Sequence, residues 1–391
     1  MDLFTMAQGN DLPDGAAEAL ADAVVGSIAG GSPNAYVAKI DPETMTSELL
    51  DLPKGSTPNY PGSIVAHRNG MLYAVGTATL FEIDPGEFVI TRSLDLPPNP
   101  SDPESTIYNT LQVSARNGDL VLKTAPQGGN GQLIAVNVEN LEIRNQLETP
   151  LSSARMTLLL QGDTEYVYLP GDTATLRLTV TDDGFTPDPG WSQTYRTADD
   201  GTTPGVAMTP TGGHDTVVFP NNNTVLINVT APLEMFWQST TDPSQEVGRV
   251  NATATDLPGG TFAPPPGDPF DNSVMVAADA VNGRLAAWAI NDDGSLENLW
   301  TTDEYAVSVG AAIVADQQRL YTDDRECNNL GFCTLYLVVA DLMTGTEIAR
   351  VEVAGSQPSI GRIFIGPDAV YYIATQGESN RGFLTKVTAT E

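Results

Sequence analysis

The sequence predicts an all-β fold, a β-propeller of four-stranded antiparallel blades, seven by preference and eight if the N-terminal residues supply missing strands. Three observations predict it. A strand–turn–strand unit recurs along the chain, two further short apolar runs precede the copies, and Gly, Pro, Asn or Asp punctuates the runs.

The plainest copy is Thr334 to Val353, where two runs rich in β-branched and aromatic residues flank the turn Asp341-Leu342-Met343-Thr344-Gly345. Its equivalents begin with Ala35 to Leu52, turning at Asp41-Pro42-Glu43-Thr44, and Thr79 to Leu96, turning at Asp84-Pro85-Gly86. Gln132 to Thr149 turns at Asn137 to Asn140, and Thr175 to Tyr195 at Asp182-Asp183-Gly184. Thr224 to Gln238 follows, then Arg284 to Trp300 around Asn291-Asp292-Asp293-Gly294. The polar residues Asp41, Asp84, Asn137, Asn228, Asn291 and Asp341 lie 43, 53, 91, 63 and 50 residues apart, the copy centred on Thr181 filling the longest interval. A period of roughly 40 to 50 residues made of strands and turns is that of propeller blades.

The preceding pairs complete four strands per unit. They are Ser63 to His67 with Met71 to Val75, Leu111 to Ser114 with Leu120 to Lys123, and Met156 to Leu160 with Tyr166 to Leu169. Val206 to Thr209 pairs with Thr216 to Phe219, Ala311 to Ala315 with Arg319 to Thr322, and Ile360 to Ile365 with Val370 to Ala374. A sheet this small cannot bury both faces alone, so neighbours must stack face to face. A last run, Phe383 to Val387, fits closure of the ring by strands from both termini.

Ala340-Asp341-Leu342-Met343-Thr344-Gly345, and Ile290-Asn291-Asp292-Asp293-Gly294 running on to Trp300, resemble the repeat of the PQQ-like, or quinoprotein-like, propellers, shared loosely with YVTN-type surface propellers. The resemblance covers residues 35 to 389 in strand order. It implies the propeller fold and, for the enzymes of that family, a PQQ cofactor bound with Ca²⁺ and stacked on a disulfide between adjacent cysteines. This chain has no adjacent cysteines, and only Trp237 and Trp300 stand at outer-strand ends, with Trp191 at an outer-strand start. Those departures point away from quinone chemistry; the repeat supports a fold before it supports a reaction.

Residues 1–34 read as an irregular N-terminal tether, compatible with a lipid anchor, and residues 35–391 as a single propeller domain. No apolar run is long enough for a membrane span. Fifty acidic residues against 18 basic ones give a formal charge of −32, and only Lys39, Lys54, Lys123 and Lys386 are lysines. That field repels phosphate backbones, so nucleic acid is excluded as a partner. Two readings of the acidity stay open, adaptation to a salty exterior and a surface that collects cations. Cys327 and Cys333 are the only cysteines, and a local disulfide across five intervening residues is the expected state, consistent with an exported protein at a cell surface, outside the cell or in a periplasm.

Function in propellers concentrates on the loops at one end, and the strand order places those loops here. The candidate ligand contacts are Tyr60, Tyr108, Asn109, Arg155, Arg325 and Arg381, aromatic, amide and arginine groups suited to recognition of a protein or glycan partner. Asp323 and Asp324, read as loop acids between a second and a third strand, could join Asp199, Asp200 and Asp172 to hold Ca²⁺, although they lack the Asp-x-Asp-x-Asp spacing of a local calcium loop. The two histidines, His67 and His214, fall near the opposite end and have no nucleophile at motif spacing. Asp256 to Asn272, with its five prolines, reads as an inserted loop. The function expected is a non-catalytic binding module with no firm cofactor; the competing class is a propeller enzyme, a hydrolase, a lyase or a PQQ-dependent oxidoreductase.

Overall fold

Asp41, Asp84, Asn137 and Asp341 reverse the chain by one local device. In the computed structural model, the Asp84 Oδ1 accepts from the backbone N–H groups of Gly86 and Glu87 at 2.7 and 3.0 Å, and Asn137 and Asp341 do the same for the residues two and three positions on. Asp41 accepts from the N–H of Thr44. The fifth residue of each turn, Met45, Phe88, Leu141 or Gly345, then takes positive φ, between 53° and 69°. An Asx side chain capping its own turn is why these positions are Asp or Asn.

The structure describes residues 3–8, most of 35–53, 64–194 and 274–388, and the strand backbones within 203–263. The chain divides into two units. In the first, residues 1–194, one sheet is β1 (Leu3–Gln8), β2 (Ala35–Ile40) and β3 (Ser47–Asp51). The second is β4 (Ile64–Ala66), β5 (Leu72–Val75), β6 (Thr79–Asp84) and β7 (Val89–Asp95). The third is β8 (Tyr108–Val113), β9 (Leu120–Thr124), β10 (Gly131–Asn137) and β11 (Glu142–Thr149). The fourth is β12 (Thr157–Gln161), β13 (Thr164–Pro170), β14 (Ala174–Thr181) and β15 (Gly184–Thr194).

The second unit, residues 195–391, opens with β16 (Thr203–Pro204), β17 (Thr216–Asn222), β18 (Glu234–Ser239) and β19 (Glu246–Val250). A sheet of β20 (Gly260–Ala263), β21 (Val274–Asp279), β22 (Arg284–Ile290) and β23 (Leu296–Thr302) follows. The seventh sheet is β24 (Val314–Ala315), β25 (Arg319–Cys327), β26 (Cys333–Asp341) and β27 (Glu347–Val353). The eighth is β28 (Gln357–Ile365), β29 (Val370–Gln376) and β30 (Arg381–Val387). Strands of each sheet pair antiparallel with their neighbours in sequence, so the fold class expected from the repeat is the one observed.

Apolar residues lie between consecutive sheets. Tyr73, Val75 and Leu80 of the second sheet meet Leu111, Leu122 and Ile134 of the third. The other face of the third, Val121, Leu133 and Ala135, packs on Val167, Leu169 and Leu178 of the fourth. Leu122 and Val121 thus point to opposite faces, and β9 is buried at every position. The outer strands β7 and β11 alternate exposed and half-buried residues, as a strand with one solvated face must.

Directional bonds add to the apolar contact. Lys39 Nζ donates to the Pro85 carbonyl, Arg92 to the Val138 and Glu139 carbonyls, Arg144 to that of Asp182, and Trp300 Nε1 to that of Leu342. Each donor stands in one sheet and each acceptor in the third-to-fourth-strand turn of the next.

Four expectations change. Residues 1–34 were expected to be irregular, yet Leu3–Gln8 pairs with Ala35–Ile40 as an added strand; 9–34 lie outside the described residues. Of the hairpin expected at Thr224 to Gln238, residues 224–233 lie outside the described residues; its second run is β18, an inner strand in which Met235 to Trp237 pairs with both Val218 to Pro220 and Gly248 to Val250. The insertion expected at Asp256 to Asn272 contains β20, whose four residues fall between the prolines and pair with Val274 to Ala277. Of the loop expected at Asp323 to Cys333, Asp323 to Cys327 and Cys333 are strand residues; β25 and β26 pair from Arg319↔Asp341 to Cys327↔Cys333.

Candidate functional site

The end of the third sheet that carries the β7–β8 and β9–β10 connections holds a cluster of buried polar groups. Tyr108, at the start of β8, is fully buried and its hydroxyl donates to the Pro97 carbonyl at 2.7 Å. Gln132, at the start of β10, donates through Nε2 to the same carbonyl and to the Tyr108 hydroxyl, both at 2.7 Å, and its Oε1 accepts from Gln146 at 2.6 Å. Burial pushes the Tyr108 phenol well above its ordinary range. Asn99 is anchored by its backbone N–H on Thr106 Oγ1, while its side-chain amide is buried with neither atom bonded among the described residues. The Thr149 hydroxyl, at the same end of β11, is likewise buried and unbonded.

Lys123 lies on the other face of this sheet, beside Val121. It is fully buried, its Nζ donating to the Thr124 carbonyl at 2.9 Å, and loss of hydration lowers its pKa from 10.5 to about 7. The sequence offered a signal for it, a single Lys inside the apolar run Leu120-Val121-Leu122-Lys123. That signal stood among strand residues rather than loop residues, where function was sought.

Asp323 and Asp324 are adjacent on β25 and so face opposite ways. Asp323 is 1% exposed and accepts from the Tyr372 hydroxyl of the eighth sheet at 3.1 Å, and that phenol is raised by burial first and by the carboxylate second. Asp324 accepts from Arg350 Nη1 at 2.5 Å and from the backbone N–H of Arg325 at 2.8 Å. Arg350 also reaches Glu347 at 3.0 Å and lies over the Tyr336 ring, 5.1 Å from its centre. The buried hydroxyls of Tyr305 and Thr322 have no hydrogen-bond partner among the described residues. Both carboxylates are therefore buried strand residues held by neighbouring sheet elements, not the solvated loop acids expected.

Arg325 is half-exposed on the same strand. Asn109 lies within β8 and Arg381 opens β30, both on described backbone, while Tyr60, Arg155, Asp172, Asp199 and Asp200 fall outside the described residues, as does His214. Of the expected contacts, Tyr108 is thus a core residue, and only the consecutive Asp323, Asp324 and Arg325 are brought side by side.

The acids and histidine at the opposite end are fixed as well. The Asn69 N–H donates to His67 Nδ1, so the Nε2 proton of the neutral ring goes to the Gly118 carbonyl at 2.9 Å. Glu165 accepts from Ser114 Oγ and from the backbone N–H groups of Ala115 and Arg116, closing the β8–β9 turn. Cys327 and Cys333 form a disulfide at the tip of the β25–β26 hairpin.

Sheet order and likeness to solved structures together define a β-propeller. A putative 6-phosphogluconolactonase from Bacteroides fragilis is similar over 92% of this chain and 97% of its own, with 13% identity and a TM-score of 0.52. The WD40 domain of SCAP from fission yeast covers 90% of each chain at 8% identity and 0.53. BamB from Moraxella catarrhalis covers 97% of this chain and 98% of its own at 10% and 0.52. At these identities the likeness is one of fold. No protein-family model matches the chain, and no curated protein sequence matches it.

Proposed function

We propose that the chain is an exported, non-catalytic binding module whose partner, a protein or a glycan, meets the end where the β7–β8 and β9–β10 connections lie. The observation that carries this reading is the polar cluster there. Gln146, Gln132 and Tyr108 form a continuous chain of hydrogen bonds that ends on the Pro97 carbonyl and holds the bases of both connections, as a rigid support for recognition loops requires. The disulfide supports export, since such bonds persist in oxidising compartments. Asn99 supports placing the contact at this end, because a buried amide with both atoms unbonded is costly unless something satisfies it.

Lys123 favours a second reading, a hydrolase or lyase in which an amine neutral near pH 7 takes part, since a lowered lysine pKa is one way to make a nucleophile or base. Thermal melting after EDTA treatment, repeated with a glycan panel, with Ca²⁺, with PQQ plus Ca²⁺ and with NaCl at matched ionic strength, tests the first reading. A glycan that raises Tm with a saturable dependence supports it, because ligands of the native state stabilise by mass action. A rise specific to PQQ with Ca²⁺ would replace it with an oxidoreductase, and ester or lactone turnover abolished by Lys123→Met would replace it with the second reading.

A further inference from the structure

We propose that the eighth sheet takes a fourth strand from another polypeptide, an extended acidic segment with apolar residues, which pairs with β30 and covers Ile348 on the seventh sheet. The inference is independent of the reading above. It starts from a bulge that recurs at one place. In the outer strands of the second, third, sixth and seventh sheets two consecutive residues oppose one: Thr91 and Arg92 oppose Glu82, Arg144 and Asn145 oppose Ala135, Leu299 and Trp300 oppose Ala287, and Ile348 and Ala349 oppose Val339. In the first three of these the place meets the third-to-fourth-strand turn of the sheet that follows. Arg92 donates to the Val138 and Glu139 carbonyls, Arg144 to that of Asp182 and Trp300 to that of Leu342. Two residues past Arg92 and Asn145, Leu94 and Leu147 pack on the core shared with that following sheet.

The seventh sheet departs from this pattern. Ile348 is 58% exposed, Ala349 is exposed, and Val351, the counterpart of Leu94 and Leu147, is 37% exposed. Val339 and Leu337, opposite Ala349 and Val351, belong to the core shared with the eighth sheet, so the uncovered patch faces that side. The eighth sheet has the order β28-β29-β30, and among the described strands none pairs with the far edge of β30. The second to seventh sheets all place a fourth strand at that edge. Thr385, Lys386 and Val387 are half-buried, whereas the third strands β6 and β10 are buried along most of their length. Charge selects the occupant. β30 reads Arg-Gly-Phe-Leu-Thr-Lys-Val, two cations and no acid in a chain of charge −32. Cations on an open edge deter strands of like charge and favour an acidic one. The fourth strands of this fold have that character, since Asp84 to Asp95 and Asp341 to Val353 each carry three acids and one arginine among apolar residues. The donor's main chain completes the ladder on β30, and an apolar side chain of its turn lies on Ile348, as Phe88 and Leu141 join the cores shared with the sheets before theirs.

The test uses the full chain and a blocked synthetic peptide with the sequence of residues 341–353, read by fluorescence anisotropy and hydrogen exchange. The expected result is saturable binding that weakens as NaCl rises, slower exchange of the amides from Arg381 to Val387, and at least about fivefold weaker binding to Ile348→Asp. The same peptide with its three acids changed to Lys should not bind. Absence of binding, equal binding of the Lys peptide, protection along β26 in place of β30, or equal affinity for Ile348→Asp would each overturn the proposal. So would β30 amides that all exchange slowly in the free protein, which would mean that the chain fills this edge itself, or sedimentation showing that a second copy fills it. If Ile348→Asp does not fold, exchange in the parent still decides.

Discussion

Gly345 and Trp300 show how one position is solved in two ways. In the first unit the left-handed residue of the turn carries a large side chain, Phe88 or Leu141, that joins the core shared with the preceding sheet. In the seventh sheet the preceding sheet supplies the bulk instead; a Cβ on Gly345 would lie 2.6 Å from the Trp300 ring. Gly345→Ala should cost about 2–3 kcal/mol by chemical denaturation, and in a Trp300→Ala background only the left-handed penalty of about 1–2 kcal/mol should remain. Lys123 predicts a pH effect. Its folded pKa is about 7 against 10.5 in the ordinary state, so the unfolded chain binds the extra proton between those values and stability rises with pH through that window. Lys123→Met should therefore be more stable than the parent at pH 7, with the difference shrinking toward pH 10. Above pH 10 the sign reverses, because Tyr73 and Tyr168 are raised to about 12 and keep their protons in the fold. At the acid end, Arg92 first, then Thr91 and Tyr73, hold Glu82 down at about 2. That stability is present above pH 4.5 and is lost as pH falls toward 2. Glu82→Gln should destabilise at pH 7 by roughly 2–3 kcal/mol and flatten the acid limb of the stability profile.

The hairpins were the most legible elements. Asp84-Pro85-Gly86 and Asp341 to Gly345 state their turn chemistry in local residues, and the strands around them were placed to within a residue or two. Position five of the turn was not legible, because Met45, Phe88 and Leu141 carry no mark of positive φ; for Phe88 and Leu141 the backbone cost is met by packing against the preceding sheet. Where the sequence misleads, a local signal competes with pairing. The prolines around β20 hide four residues that pair. Gly184, with φ of +126° and its Cβ position 2.2 Å from Asn145, makes a matching prediction for β14–β15. Gly184→Ala should lower Tm by several degrees and should do so less in an Asn145→Gly background. The candidate site was less legible than the fold: Tyr108 opens a strand, where sequence cannot separate the first paired residue from the last loop residue, and Asp323 and Asp324 stand mid-strand in β25, where a run of charged residues reads as a loop.

Across the whole molecule the charge of −32 is unevenly used. Arg92, Arg144, Arg177 and Arg350 each pair with a carboxylate, Glu82, Asp119, Asp188 or Asp324, while many acids stay solvated. Self-repulsion among the latter is screened by salt. Tm should rise steadily between about 10 mM and 1 M NaCl, read by scanning calorimetry, and a flat response would show that the acids do not strain the fold. The bonds from Lys39, Arg92, Arg144 and Trp300 add a direction to this picture. Each runs forward, from a sheet to a turn that comes later in the chain. During synthesis every such donor emerges before its acceptor exists, so each sheet is finished only by its successor. Assembly then has an arrow from the N-terminus to the C-terminus, and a chain halted between two of these sheets would leave the donor of the finished sheet without its acceptor turn.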